Sequence, residues 1–200
     1  TKVIYLANPD NPTGTYFNKD EFDNFMDKVP SRVIVILDEA YFEYASDISN
    51  YPDSMHYRYD NVITLRTFSK IHGLAGFRVG YGFANNNLIS NLMKVKLPFE
   101  PSTLGQVAAC AALKDKKHLL NSIQTNNSEK IKLESFFKEK NMKYIPSVTN
   151  FLTLIFDSSD KAENFCNILL KKGVIVRNLS SFGLPNCVRI TIGISDENNF

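Results

Sequence analysis

Residues 67–80 read Thr67-Phe68-Ser69-Lys70-Ile71-His72-Gly73-Leu74-Ala75-Gly76-Phe77-Arg78-Val79-Gly80. Apolar runs of strand length flank this stretch, Val62 to Phe68 before it and Val79 to Phe83 after it. A loop between two strands therefore carries a lysine and an arginine eight residues apart, with glycines around them. That is the arrangement expected where an amine and a guanidinium meet one small anionic ligand. An amine that can lose its proton is also a nucleophile toward carbonyl carbon. Gly73 and Gly76 permit close backbone approach to a ligand. The hydroxyls of Thr67 and Ser69 and the fork of Arg78 suit a phosphate. A dinucleotide loop is a poor alternative, because the Gly-x-Gly opening is missing and no Gly-Lys-Ser/Thr sequence occurs anywhere.

Outward from this loop the pattern is α/β. Val3 to Ala7 reads as a buried strand, ended by the turn formers Asn8-Pro9-Asp10-Asn11-Pro12-Thr13-Gly14. Asn18 to Lys28 has helical spacing at Phe22, Phe25 and Met26, with Asn18 as cap and Glu21 at the capping-box position. Arg32 to Leu37 is a second continuous apolar strand, followed by Asp38 and, three residues on, Tyr41. Residues 44–60 lack a clean period and read as loop with a short helix. Continuous apolar strands with a helix between them predict a mainly parallel sheet covered on both faces. An aspartate at the carboxyl end of such a strand stands where open α/β sheets place ligand contacts.

Helices are expected after Asn85-Asn86-Asn87 to about Lys96, over Ser102 to Leu113, where small residues would pack closely, and from about Lys117 to Lys140. Beyond them come a strand at Phe151 to Phe156, a helix at Asp160 to Lys172 with Gly173 as its C-cap, and strands at Val174 to Arg177 and Val188 to Ile194. This predicts a larger domain over residues 1–125 and a small α+β domain over 126–200. Arg189 lies on an otherwise apolar strand and should find an anionic partner, since a buried unpaired charge is too costly. Ser195 reads as the cap of a further helix, so the chain is expected to have been cut at both ends.

Composition excludes several classes. With 23 basic and 21 acidic side chains the net charge is +2, too even to suggest a nucleic-acid partner. Cys110, Cys166 and Cys187 are far apart, odd in number and lack metal-ligand spacing; buried free thiols in a reducing cytosol are expected. The longest aliphatic runs, such as Val33 to Leu37, have strand length, so no membrane span is expected. His56, His72 and His118 have no nucleophile context and read as structural.

The run Ser69-Lys70-x-x-Gly73-Leu74-Ala75-Gly76-x-Arg78-x-Gly80 has Asn11-Pro12-Thr13-Gly14 and Asp38-Glu39-Ala40-Tyr41 ahead of it. Val188-Arg189-Ile190-Thr191-Ile192-Gly193 follows it. In that order these motifs resemble the aspartate-aminotransferase-like, pyridoxal-phosphate-dependent enzymes, most closely the histidinol-phosphate aminotransferase branch. The likeness runs from about Val3 to Asp196. It implies a fold-type-I transferase: the C-terminal portion of the large cofactor domain, then the small domain. It implies that Lys70 bonds covalently to pyridoxal 5'-phosphate and then moves a proton. Asp38 would face the ring nitrogen, Tyr41 and Asn11 the phenolic oxygen, and Thr67, Ser69 and Arg78 the cofactor's phosphate. Arg189 would hold the substrate α-carboxylate and Arg177 the phosphate of histidinol phosphate. Glu39 and Glu43 match family positions without an assigned role.

The resemblance further implies a cytoplasmic homodimer in which both subunits contribute to each site. Its reaction would exchange an amino group between glutamate and imidazole-acetol phosphate in histidine biosynthesis. Two alternatives stay within the family, an aromatic aminotransferase and a threonine-phosphate decarboxylase. A third is a non-catalytic fragment, since family members are longer at the N-terminus. Asp10, where asparagine is common, and Ile71-His72 depart from the family pattern.

Overall fold

The computed structural model describes residues 1–56 and 59–200; Tyr57 and Arg58, part of the stretch read as loop with a short helix, lie outside the described residues. Two compact units result: Thr1–Pro9 with Tyr16–Ser122, and Asp10–Thr15 with Ile123–Phe200.

In the first unit the apolar runs become strands β1 (Val3–Ala7), β2 (Ile34–Asp38), β3 (Val62–Thr67) and β4 (Gly80–Ala84), lying side by side in that order. The first three are parallel and β4 returns antiparallel to β3. Helix α1 (Lys19–Met26) makes the crossover from β1 to β2. Its capping box forms as the sequence predicts: the Asn18 side chain accepts from the Glu21 amide, and the Glu21 carboxylate accepts from the Asn18 amide. The inward face of α1 puts Phe22 and Met26 against Val35, Leu37 and Val62. Parallel register aligns Ala7 with Asp38 and Asp38 with Leu65, so the carboxyl ends of three strands open on one edge. Beyond β2 come the single turn α2 (Phe42–Ala45) and a 3-10 turn at Ser54–His56. Helices α3 (Asn86–Val95) and α4 (Thr103–Ala112) follow β4. In α4, Gly105 and Ala109 are buried, and Ala109 packs with Phe68 and Val79 beneath the lysine loop.

Two expectations for this unit need correcting. β1 is not buried: Val3 is 50% and Tyr5 56% exposed, because among the described residues only β2 pairs with this strand. Cys110 is exposed on α4, which turns Gly105 and Ala109 inward instead; Cys166 is partly and Cys187 fully buried.

Helix α5 (Lys116–Glu139) begins in the first unit and continues into the second. The second unit's sheet is antiparallel, in the order β5 (Lys143–Ile145), β6 (Phe151–Ile155), β8 (Cys187–Thr191), β7 (Arg177–Asn178). Phe137 of α5 packs with Leu152, Leu154 and Ile192, and α6 (Ser159–Lys171) adds Phe165. The expected strand at Val174 to Arg177 shrinks to Arg177–Asn178. A Schellman closure consumes its start: the Val174 amide donates to Leu169 O and the Gly173 amide to Leu170 O, with Gly173 at φ +88°. The same closure ends α5, where Asn141 sits at φ +54° and the Met142 amide donates to Phe137 O. β5 follows at once, too short and too polar for periodicity to reveal. Ser195 is the first residue of α7 (Ser195–Asn199) and not its cap; the cap is Ile194, whose amide donates to the Glu197 carboxylate.

Candidate active site

The candidates in the first unit sit at or just past a strand's carboxyl end, except Arg78, which stands two residues before the start of β4. Asp38 closes β2. Its Oδ1 accepts from the Ala40 amide at 3.0 Å and its Oδ2 from the Tyr5 hydroxyl. Partial burial, and then this bond to Asp38, push the Tyr5 phenol up to about 12. Tyr41 caps α2 and is buried. Thr67 closes β3, and its Oγ1 accepts from the Ser69 amide at 3.1 Å. Phe68 and Ile71 anchor the loop in the interior while Lys70 between them stays exposed, its Nζ 5.3 Å from the centre of the Tyr41 ring. The Gly73 amide closes a turn onto Lys70 O at 2.9 Å, which the glycine's φ of +69° permits. Arg78 holds a left-handed backbone (φ 52°, ψ 47°), uncommon for a side-chain-bearing residue, and its exposed guanidinium donates to Ala75 O.

Behind these residues lies a charged cluster that the sequence reading did not single out. Arg66, buried on β3, donates through Nε to Glu39 Oε2 at 2.8 Å and through Nη2 to Asp53 at 3.0 Å, and its Nη2 stands in ion-pair contact 2.8 Å from Glu39 Oε2. Its guanidinium carbon stands 3.4 Å from the centre of the Phe42 ring. Burial pushes the Glu39 carboxyl up to about 6, against the pull of Arg66. The only signal in the sequence was an arginine inside a strand that is otherwise uncharged. The histidines that read as structural have local partners: His118 Nε2 is 2.9 Å from Ile71 O, and His72 and His56 face Glu43 and Asp53.

The second unit brings together Asn11, Arg177 and Arg189. Residues 10–15 dock by an exchange of polar groups, as Thr153 Oγ1 donates to Pro12 O at 2.6 Å and the Val148 amide to Gly14 O at 2.9 Å. Gly14 is required there: a Cβ would fall 2.0 Å from Ser147 Oγ. The docked loop presents the Asn11 amide oxygen to the Arg189 guanidinium, which also stands 5.0 Å from the Phe151 ring. The expected anionic partner of Arg189 is thus replaced by a neutral amide, which suffices because the residue is only half-buried. No carboxylate forms an ion pair with it among the described residues. Arg177 is exposed and pairs directly with Arg189 across β7 and β8. Two guanidinium groups on facing strand positions suit a ligand with two anionic groups.

A cavity of about 1070 Å³ in the second unit, walled by Phe136, Phe165, Val176 and Phe200 among others, holds none of these residues. Among the described residues no His/Cys/Asp/Glu group could hold a metal ion, and no helix is long and apolar enough to cross a membrane. The first unit's donors can instead receive a phosphorylated carbonyl compound. That unit carries an amine at Lys70, hydroxyls at Thr67 and Ser69, a guanidinium at Arg78 and a carboxylate at Asp38.

Residues 1–199 match the family model described as aminotransferase class I and II. The chain is 44% identical over 201 residues to histidinol-phosphate aminotransferase 2 of Pseudomonas fluorescens strain Pf0-1, covering 100% of this chain and 54% of that protein. It is 42% identical over 200 residues to histidinol-phosphate aminotransferase of Bacillus subtilis strain 168, covering 99% and 55%. Among solved structures, histidinol-phosphate aminotransferase from Sinorhizobium meliloti, crystallised with pyridoxal-5'-phosphate, is similar with a TM-score of 0.91 at 29% identity, over 99% of this chain and 54% of that one. The chain spans about half the length of the curated relatives it matches.

Proposed function

Because the chain belongs to the class I and II aminotransferase family, we propose that it is part of a pyridoxal-phosphate-dependent enzyme. The enzyme exchanges an amino group between glutamate/2-oxoglutarate and histidinol phosphate/imidazole-acetol phosphate. One observation carries the reading. Lys70 puts an exposed amine past the carboxyl end of β3, 5.3 Å from the Tyr41 ring, in a loop whose hydroxyls and Arg78 are a phosphate's donors. When bound, pyridoxal phosphate supplies an electron sink for the carbon that loses its proton. The donor set fits that group. Lys70 holds it through the amine and carries the proton to and from the substrate's Cα. Asp38, fixed by the Ala40 amide and the Tyr5 hydroxyl, keeps the ring nitrogen protonated. Tyr41 and Asn11 donate to the phenolic oxygen, and Thr67, Ser69 and Arg78 bind the phosphate. Arg189 takes the substrate α-carboxylate and Arg177 the phosphate that marks histidinol phosphate.

In this reading residues 1–125 are the C-terminal portion of the cofactor domain and 126–200 the small domain. The enzyme is a cytoplasmic homodimer acting in histidine biosynthesis. The test is direct: add pyridoxal phosphate, record the absorption of the lysine-bound cofactor, then add glutamate and watch that band convert. Borohydride reduction and peptide mapping should place the pyridoxyl group on Lys70, and Lys70→Ala should bind cofactor in part while losing all turnover. A label on another lysine sinks the assignment.

A further inference from the structure

We infer that Glu39 and Arg66 form a buried strut that sets the spacing between two segments, one carrying Asp38 and Tyr41, the other Thr67, Ser69 and Lys70. They are positioning residues for the cofactor; the inference rests on the function proposed above. Chain adjacency comes first: Glu39 follows Asp38 directly and precedes Tyr41 by two residues, while Arg66 directly precedes Thr67. The β2–β3 ladder ends where they stand, and its last link is the Glu39 amide donating to Leu65 O at 2.9 Å. Past that bond the two segments diverge into loops, and side chains must hold their distance.

Arg66 does this with a fork. Its Nε and Nη2 converge on one carboxylate oxygen, Glu39 Oε2, while Nη2 also reaches Asp53 on the connection before β3. The guanidinium carbon lies 3.4 Å from the centre of the Phe42 ring and 5.6 Å from that of the Phe83 ring. Phe42 is the neighbour of Tyr41, so this stacking fixes the same segment a second time. A lysine, with a point charge and no plane, could do neither. The Ser54 hydroxyl lies beside the carboxylate, yet neither it nor the opposite oxygen, Glu39 Oε1, completes a hydrogen bond among the described residues. A pair built for stability alone would be saturated, or would be apolar, because buried ion pairs seldom stabilise more than the hydrophobic side chains that could replace them. Burial also raises the Glu39 carboxyl to about 6, so desolvating its charge offsets part of what the pairing with Arg66 gains. What the pair contributes is geometry.

The experiment replaces the pair by an apolar one, Glu39→Leu with Arg66→Met, and compares three readouts with the wild type. These are the thermal midpoint, the dissociation constant of pyridoxal phosphate, and amide hydrogen exchange at residues 38–41 and 67–73 without cofactor. The expected result is a midpoint near or above the wild type's, cofactor binding weakened roughly tenfold to a hundredfold, as for a displacement of about 1 Å, and faster exchange in both segments. Wild-type affinity with unchanged exchange in the folded double variant overturns the inference. If that variant does not fold, Glu39→Gln, which keeps the volume, decides by the same affinity and exchange measurements, and unchanged values again overturn it. If the wild-type protein itself binds no pyridoxal phosphate, the proposed function fails instead. Exchange alone then decides the strut.

Discussion

Arg66 and Arg189 occupy the same kind of sequence position, a single cation inside an otherwise uncharged strand, Leu65-Arg66-Thr67 and Val188-Arg189-Ile190. Their surroundings differ completely. Arg66 is buried with Glu39, Asp53 and the Phe42 face around it, and its charge is met within its own unit. Arg189 is half-buried, bonded to the neutral amide of Asn11 and lying near the Phe151 face. A second guanidinium, that of Arg177, occupies the facing register position. The first has its counter-charge in the fold, whereas the second has a neutral amide there, as its proposed role in holding a substrate anion requires.

The comparison breaks most readily on stability. Arg66→Ala leaves Glu39 facing Asp53 without a cation and should cost about 3–5 kcal/mol in a urea or thermal melt. Arg189→Ala should stay within roughly 0.5 kcal/mol of wild type, as for other surface-like sites, while weakening binding of both substrates, because glutamate brings its α-carboxylate and histidinol phosphate its phosphate to that arginine in turn. Similar losses of stability would erase the distinction drawn here. Asp38→Asn tests the anion proposed to face the cofactor's ring nitrogen. The fold should persist and Cα deprotonation should slow by about 3 kcal/mol, roughly two orders of magnitude. Near-normal half-reaction rates would show that another carboxylate serves the ring nitrogen.

Arg177→Ala sharpens the binding side. A charge-assisted bond to phosphate contributes about 1.5–3 kcal/mol, so the Michaelis constant for histidinol phosphate should rise by one to two orders of magnitude while that for glutamate stays unchanged. Equal losses on both would favour an unphosphorylated substrate. The smallest effect concerns the framework side. Glu39 is raised from 4.5 to about 6 in the folded chain, with Arg66 and Asp53 facing it. The folded state therefore binds the proton more tightly than the unfolded state. The stability this adds is complete below about pH 4.5 and is lost as pH rises through 6, about 2 kcal/mol in all. Glu39→Gln should remove that slope between pH 4.5 and 6 in denaturant titrations; an unaltered slope would assign it to other carboxylates.

The sequence by itself determined the parallel strands, the Asn18–Glu21 capping box, the place of Asp38 at a strand end and the loop that exposes Lys70. All of these follow from signals within a few residues: apolar runs, cap spacing, glycines and turn formers. Only the tertiary structure decided which charges are spent. Arg66 meets Asp53 and Glu39 across 13 and 27 residues, and Thr153 holds Pro12 across 141. The strand expected at Val174 shortened because its amide had already closed the preceding helix. β1 is half-exposed because only β2 pairs with it among the described residues. Periodicity reports which face a residue occupies, whereas burial and pairing depend on which distant segment lies opposite. No local pattern encodes that partner.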